Sequence, residues 1–367
     1  MRFLYLVVLL LTSVFTFTVK AESDLGYSLQ TPAPNSDGVF RVLIIHDMEG
    51  LSGQDDWHSA LSLYEKEYAN AQELLAGDVN AVADGLFAGG ADEVHVADGH
   101  GGTNPEPDLR ADLLDPRVVQ VFRDQAFDTY TDLAEAGVYD AVAVVGMHAK
   151  TLSNGFLSHT IGLGTNFIFN GMSVTETEII AFSFARVGVP VIFASGDDVH
   201  KEDLQRMPWV QYAQVKESEN AYTIKKMLPL KKARALLKKK AKRAVADINN
   251  AKVMALNEPV AAAMQVVPPS NLSGLKGMPG LHYSDNRVDF IAKDFISAYL
   301  GTKNLAIYGY KAGNNKATIE HAAGVLGAKE LSIQVWDLFG GRTLKYEAGE
   351  WQPTEKTAPK KDRYHGY

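Results

Sequence analysis

The 367-residue chain contains no cysteine. That absence excludes disulfide bonds, thiolate-ligated zinc, iron–sulfur clusters and thiol nucleophiles together, so any metal must be held by His, Asp and Glu. There is no basic excess either. The 36 Lys and Arg stand against 44 Asp and Glu for a net charge of −8, which argues against nucleic acid as a partner, because proteins that bind polyanions show a basic balance or stripe. Beyond the N-terminal segment no apolar run is long enough to span a bilayer, and no internal repeat is present. What remains is ordinary for a folded chain, 46% hydrophobic and 22% charged. The length suits two or three domains of usual size or one large α/β domain.

Arg2 precedes an apolar stretch from Phe3 to Val19 that ends in Val19-Lys20-Ala21. This is the order of a basic n-region, an apolar h-region and a small-residue cleavage site, so residues 1–21 are expected to be an export signal and the mature chain periplasmic or secreted. Removing the segment takes away Arg2 and Lys20 and no acid, which moves the net charge from −8 to −10. Residues 22–38, rich in Ser, Pro, Asn and Asp, are expected to be a linker.

From Phe40 onward strand and helix patterns alternate. Buried strands are expected at Val42 to Ile45, Val94 to Val96, Val118 to Phe122, Ala141 to Val145 and Val189 to Ala194, with short β segments at Phe156 to His159 and Phe167 to Phe169. Helical spacing runs from Leu63 to Phe87 before Gly89-Gly90, from about Asp124 to Ala136, and from Val174 to Val187. The fold class is therefore α/β, with a mainly parallel sheet carrying helices on both faces. The second half is a less regular α/β part: a Lys- and Arg-rich helix from Leu228 to Ile248, a strand from Val260 to Val267, a strand-to-helix run from Val288 to Leu300, a helix from Thr318 to Leu326, a strand from Leu331 to Trp336, and a polar tail from about Pro353.

The chemistry concentrates at strand ends. Asp47 and Glu49 follow the first strand directly, and side chains two apart on an extended chain share a face, so both carboxylates can reach one metal. Asp98 and His100 repeat the arrangement after the second strand. His148 follows Ala141 to Val145, His159 comes after a turn carrying Asn154-Gly155, and Glu176 opens the next helix. Each residue alone has an ordinary use: acids after strands cap helices and form turns, and single histidines sit in cores. Together they would put four carboxylates and three imidazoles into one crevice beyond the strand ends, where the acids repel one another unless a divalent cation is present. Mixed nitrogen and oxygen ligation without thiolate suits zinc, with manganese or another transition metal as the alternative.

The residues Asp47-Met48-Glu49-Gly50-Leu51-Ser52-Gly53, Asp98-Gly99-His100, Gly146-Met147-His148-Ala149-Lys150, Ser158-His159, Glu176 and Gly196-Asp197-Asp198 resemble, in order and spacing, the M55 metallopeptidases, D-aminopeptidases of the DppA type. The resemblance covers roughly residues 40 to 309. It implies a dinuclear zinc enzyme, two Zn2+ per chain, that removes N-terminal D-amino acids from short peptides such as D-Ala-D-Ala. It further implies that Asp47 bridges both metals, that Glu49, His100, His148 and Glu176 complete the two coordination shells, and that His159 is the catalytic residue. It also implies a homo-oligomer, a decamer of stacked pentamers with the active sites facing an inner channel. Residues 39–309 would form the metallopeptidase domain and residues 310–367 a C-terminal extension outside the family's pattern. Two other functions fit parts of the pattern: a metal-dependent amidohydrolase acting on cell-wall fragments, and an exported solute-binding protein, which would not require paired carboxylates and three imidazoles.

Overall fold

The computed structural model describes residues 25–33, 37–102, 106–125, 127–309 and 327–353. The export signal, the helix expected over residues 318–326 and nearly all of the polar tail lie outside the described residues. In chain order the strands are β1 (Tyr27–Gln30), β2 (Arg41–His46), β3 (Glu93–Asp98), β4 (Val118–Gln120), β5 (Ala141–Val145), β6 (His159–Thr160), β7 (Gly162–Leu163), β8 (Thr165–Phe169), β9 (Met172–Val174), β10 (Val191–Gly196), β11 (Gln211–Gln214), β12 (Lys216–Asn220), β13 (Thr223–Met227), β14 (Val253–Leu256), β15 (Val260–Val266), β16 (His282–Ser284) and β17 (Arg287–Ala292). The α-helices are α1 (Glu65–Gly89), α2 (Glu176–Ala185), α3 (Asp198–Asp203), α4 (Leu230–Ala246), α5 (Phe295–Asn304) and α6 (Lys329–Glu347).

Six strands form a parallel sheet in the order β11-β10-β5-β2-β3-β4. Both of its faces are covered, which is why β2 and β5 read as unbroken apolar runs. Val42 and Ile44 point to one side, into a core shared with α1 and α4, while Leu43 and Ile45 point to the other, into a core shared with α2 and α5. A five-stranded antiparallel sheet, β16-β17-β15-β8-β9, contributes to that second core. The irregular second part is thus interleaved with the first: β8 and β9 come from the chain segment between β5 and α2.

The order of strands creates one special place. From β2 the chain proceeds to β3 and β4 on one side, then returns to β5, β10 and β11 on the other. Between β2 and β5 the winding reverses, and in open parallel sheets the crevice beyond the carboxyl ends at such a point is where ligands bind.

Four expectations differ from what is observed. Within the expected linker, Tyr27–Gln30 forms β1 and pairs with β14; a four-residue edge strand is too short for alternation to mark it. Residues 124–136 form turns, not a helix, among the described residues, because side chains take over the backbone donors: Asp128 accepts the N–H of Tyr130 and Asp132 accepts that of Asp128. Leu331 to Trp336 lies inside α6 instead of forming a strand. Its alternating Leu331, Ile333 and Val335 mimic a strand over six residues, but burial falls on Val335, Gly340, Thr343 and Leu344, a helical stripe. The β segment expected at Phe156 to His159 is a turn and loop as far as Ser158, with only His159 entering β6; Leu157 at φ +53° breaks the extended run.

Helices α1 and α4 approach closely along glycine. A Cβ at Gly85 would lie 2.8 Å from Ala241 Cβ and nearer still to the Lys238 carbonyl oxygen. Alanine gains about 1 kcal/mol of helix propensity over glycine, but overpacking costs about 1–3 kcal/mol and here meets backbone. Gly85→Ala is expected to destabilise the fold by about 2 kcal/mol, read as a lowered urea midpoint at unchanged m-value, with metal content unaltered. A raised midpoint would show that the helices separate freely.

Candidate metal centre

The loops that leave β2 and β5 touch at the switch point. Asp47 N–H donates to Val145 O at 2.8 Å and Gly50 N–H to Gly146 O at 2.7 Å. A Cβ at Gly50 would sit 2.7 Å from the Gly146 carbonyl carbon, so only glycine permits this approach. The contact brings Asp47 and Glu49, from one loop, against His148, from the other.

Six of the seven residues singled out at the strand ends converge there; the seventh, Asp98, stays outside the cluster of ligand atoms and bonds to the backbone of the His100 loop instead. His148 Nε2 lies 3.3 Å from Asp47 Oδ2 and 3.5 Å from Glu176 Oε1, and His159 Nε2 lies 3.9 Å from the same Glu176 oxygen. His100 Nε2 is 3.3 Å from Glu49 Oε1. Two groups have ligand atoms within 4.8 Å of one another: Asp47, Glu49 and His148, and His148, His159 and Glu176. His148 belongs to both. His100 belongs to neither and joins the cluster through Glu49.

Each imidazole has its outward nitrogen engaged. Nδ1 of His148 meets Ala149 O at 2.9 Å, Nδ1 of His159 meets Leu157 O at 2.6 Å, and Nδ1 of His100 meets Asp108 Oδ2 at 2.6 Å. A carbonyl can only accept, so Nδ1 of His148 and His159 carries hydrogen and Nε2 of the neutral ring presents its lone pair inward. His148 Nε2 is buried and has no hydrogen-bond partner. A buried nitrogen aimed at carboxylates with nothing bonded to it is what a metal ligand looks like. The two histidine rings stack at 3.9 Å, which fixes the plane of His159.

The acids are held as firmly. Glu176, at the first turn of α2, accepts Ile161 N–H at 2.7 Å and the Tyr130 hydroxyl. The left-handed backbone of Leu157 and Ile161, at φ +53° and +67°, brackets His159. For a β-branched residue this conformation is strained, and such strain collects at working sites. In Ile161 it aims the N–H at Glu176. Asp98 accepts the backbone N–H groups of His100 at 2.9 Å and Asp108 at 2.6 Å, so it shapes the loop that Asp108 then uses to orient the His100 ring.

The charges show what the cluster lacks. Two carboxylates about 4 Å apart repel by about 4 kcal/mol at an effective dielectric constant of about 20. Burial pushes the Asp47 carboxyl well up, and the charge of Glu49 pushes it further. Burial opposes charge on His148, yet Asp47 and Glu176 raise it well above the ordinary imidazole value; Glu49 and Asp108 do the same for His100. Burial also opposes charge on Glu176, but His148 outweighs it and holds the carboxyl down to about 2. Without a metal, protons on His148 and His100 supply the missing positive charge. The donor set therefore fits a divalent transition metal.

Other charged and polar residues of the fold fall elsewhere. The Lys150 ammonium pairs with Asp203, away from the cluster. Asp197 caps α3 and Asp198 accepts Ser218 N–H, as turn-formers do. The basic face of α4 lies opposite the apolar stripe, Ala233, Leu237 and Ala241, that packs on α1. His200 is a core histidine bonded to Thr177 and Tyr212. Sequence reasoning missed Asp108, Tyr130 and the buried Lys216, whose ammonium donates to Glu49 O at 2.6 Å and so fixes the loop from behind.

The sequence profile of Peptidase M55, D-aminopeptidase, matches residues 40–302. The D-aminopeptidase of Bacillus subtilis (strain 168) is 27% identical over 260 residues, which is 69% of this chain and 92% of that one. A solved structure described as the Zn-dependent D-aminopeptidase DppA from Bacillus subtilis, a self-compartmentalizing protease, superposes with a TM-score of 0.63 at 24% identity, covering 73% of this chain and 98% of that one. That likeness establishes the shared fold.

Because protons occupy His148 and His100 in the metal-free protein, metal binding must expel them, and affinity should rise with pH through the neutral range. Zinc titration by calorimetry in buffers of differing ionisation heat is expected to show net proton release. Asp108→Asn should weaken zinc binding about 10–100-fold, since it removes the anion that orients and polarises His100. Titration without proton release would contradict this account of the charges.

Proposed function

This chain belongs to the M55 D-aminopeptidase family, and on that footing we propose that it is a zinc enzyme that hydrolyses short peptides with an N-terminal D-amino acid. The observation that carries the reading is the unpartnered, buried His148 Nε2 facing Asp47 and Glu176. Asp47, Glu49, His100, His148 and Glu176 would hold the metal. Five such side chains exceed what one tetrahedral site uses, which supports two zinc ions per chain. Zinc there supplies Lewis acidity toward the scissile carbonyl and lowers the pKa of water.

His159 is the proton-moving residue of this proposal. Burial first, then the neighbouring charge of His148, lowers its pKa, so the ring is neutral and able to accept a proton at neutral pH. Its Nδ1 bond to Leu157 O keeps the lone pair on Nε2, toward the cavity. Tyr130 and Ile161 N–H keep Glu176 from swinging into the reaction space. A cavity of about 240 Å³ beside the cluster is lined by Asp47, Asp98, Asp128 and Glu176, with Lys303 as its cation. Lys303 is paired with Asp128, so Asp98 is the carboxylate of this wall, outside the metal cluster and the lysine pair, that suits the ammonium group of a peptide's N-terminus.

The N-terminal pattern ending at Ala21 supports export, and among the described residues no helix is long and apolar enough to cross a membrane. An exported enzyme meets cell-wall stem peptides, which makes D-Ala-D-Ala a reasonable substrate. The self-compartmentalizing assembly of the related solved structure supports a ring-shaped homo-oligomer here as well. Exposed Val119 and Phe122, at and just past the edge strand β4, are suited to such a contact.

Three measurements test the reading. Protein prepared without chelator should carry two equivalents of zinc; less than one equivalent, with chelator-insensitive activity, would remove the mechanism. D-alanyl peptides with a free amine should be cleaved about 100-fold faster than their L,L isomers, because inverted chirality misplaces the reacting groups. Undiminished cleavage of N-blocked peptides would favour an amidohydrolase instead. His159→Ala should keep its metal and lose about 10²–10⁴-fold in rate, and the acidic limb of the wild-type kcat/KM profile should fall below the ordinary imidazole pKa, since protonated His159 cannot act as base. Loss of metal in proportion to activity would make His159 a ligand.

A further inference from the structure

An apolar cavity that touches the metal-binding side chains is built partly by a helix outside the family's matched span. About 460 Å³ in volume, it meets Glu49, His100 and His159 at one end, and its walls include Trp57, Leu61, Leu163, Ile307 and Trp336. Trp336 belongs to α6 (Lys329–Glu347), whereas the family match ends at residue 302. Trp336 and Trp57 rings approach to 6.4 Å between centroids, tilted by 36°.

Helix α6 is docked along its length. Leu344 is buried with Ala60, Phe156 and Leu157, the turn just before His159. Asp337 accepts the Tyr64 hydroxyl at 2.6 Å and lies 3.4 Å from His58 Nε2. Near its C-terminus, Glu347 accepts the Ser158 hydroxyl at 2.8 Å and Leu152 N–H at 3.1 Å. Lys329 at the other end pairs with Glu65. The helix thus grips the segments on both sides of the cavity it walls.

The large apolar cavity and the acid-rich one share His100, Gly101, His159 and Ile161. They are two lobes that meet over the metal-binding residues. A peptide whose ammonium lies toward Asp98, on the wall of the smaller lobe, has its first residue in that lobe and its scissile bond at the junction. The residue after that bond must then lie in the larger lobe. Tryptophan and branched aliphatic walls desolvate apolar side chains well and offer little to charged ones.

We propose that α6 completes an apolar subsite, walled by Trp336 and Trp57, that selects a bulky apolar side chain on the residue following the scissile bond, after a small N-terminal residue. This rests on the aminopeptidase reading above. Glycine in that position leaves the lobe unfilled, and a hydrophobic pocket discriminates by about 10–200-fold on such differences.

The test compares kcat/KM of the zinc-loaded full chain on D-Ala-Gly, D-Ala-D-Leu and D-Ala-D-Phe, with D-phenylalanine and glycine binding measured separately by calorimetry. Wild type should prefer D-Ala-D-Phe over D-Ala-Gly by at least about 10-fold and bind D-phenylalanine more tightly than glycine. Trp336→Ala should collapse that preference and the D-phenylalanine affinity, while Trp336→Phe should retain most of both. A preference unchanged in Trp336→Ala, or no wild-type preference, would overturn the subsite while leaving the aminopeptidase reading intact. If no D-alanyl dipeptide is cleaved, that reading fails, and calorimetry still decides the subsite: D-phenylalanine bound no better than glycine would overturn it.

Discussion

Three carboxylates, Asp47, Glu49 and Glu176, are buried within a few ångströms of three imidazoles at the place where the parallel sheet changes its direction of winding. Burying like charges so closely is unfavourable by several kcal/mol unless a cation joins them. Much of the surrounding structure can be understood as holding that arrangement in place. The glycine contact between the β2 and β5 loops sets the approach, Lys216 anchors the Glu49 backbone from behind, and Tyr130 with the strained Ile161 fixes Glu176. Without a cation, protonation favoured on His148 and His100 offsets the carboxylate charge and makes the cluster tolerable within the fold.

The half of the site contributed by strand ends was legible in the sequence because its signals are local. An unbroken apolar run identifies a doubly covered strand, and an acid pair two residues apart just beyond it, as in Asp47 and Glu49, shares one face. His148 and Glu176 followed from the same logic at the next strand and helix. Asp108 carried no comparable mark: it sits in an irregular loop, and its purpose appears only when that loop folds over His100. Tyr130 was hidden by a helical pattern that Asp128 and Asp132 override with side-chain bonds to the backbone. Trp57 and Trp336 are far apart in sequence, and six residues of alternating apolar pattern around Trp336 read as a strand. Local periodicity fixes how a segment folds, but only tertiary contacts decide which distant segments share a cavity.

All six residues of the metal cluster lie between positions 47 and 176, while the tryptophan that closes the neighbouring cavity stands at position 336. During synthesis the clustered residues therefore leave the ribosome well before the wall does, and a chain folding from its N-terminus can organise its charged centre while the adjoining space is still open on one side. The separation matters over evolutionary time as well. Changes confined to α6 can reshape the cavity without altering any of the six clustered residues, so the apolar wall and the charged centre are free to vary independently.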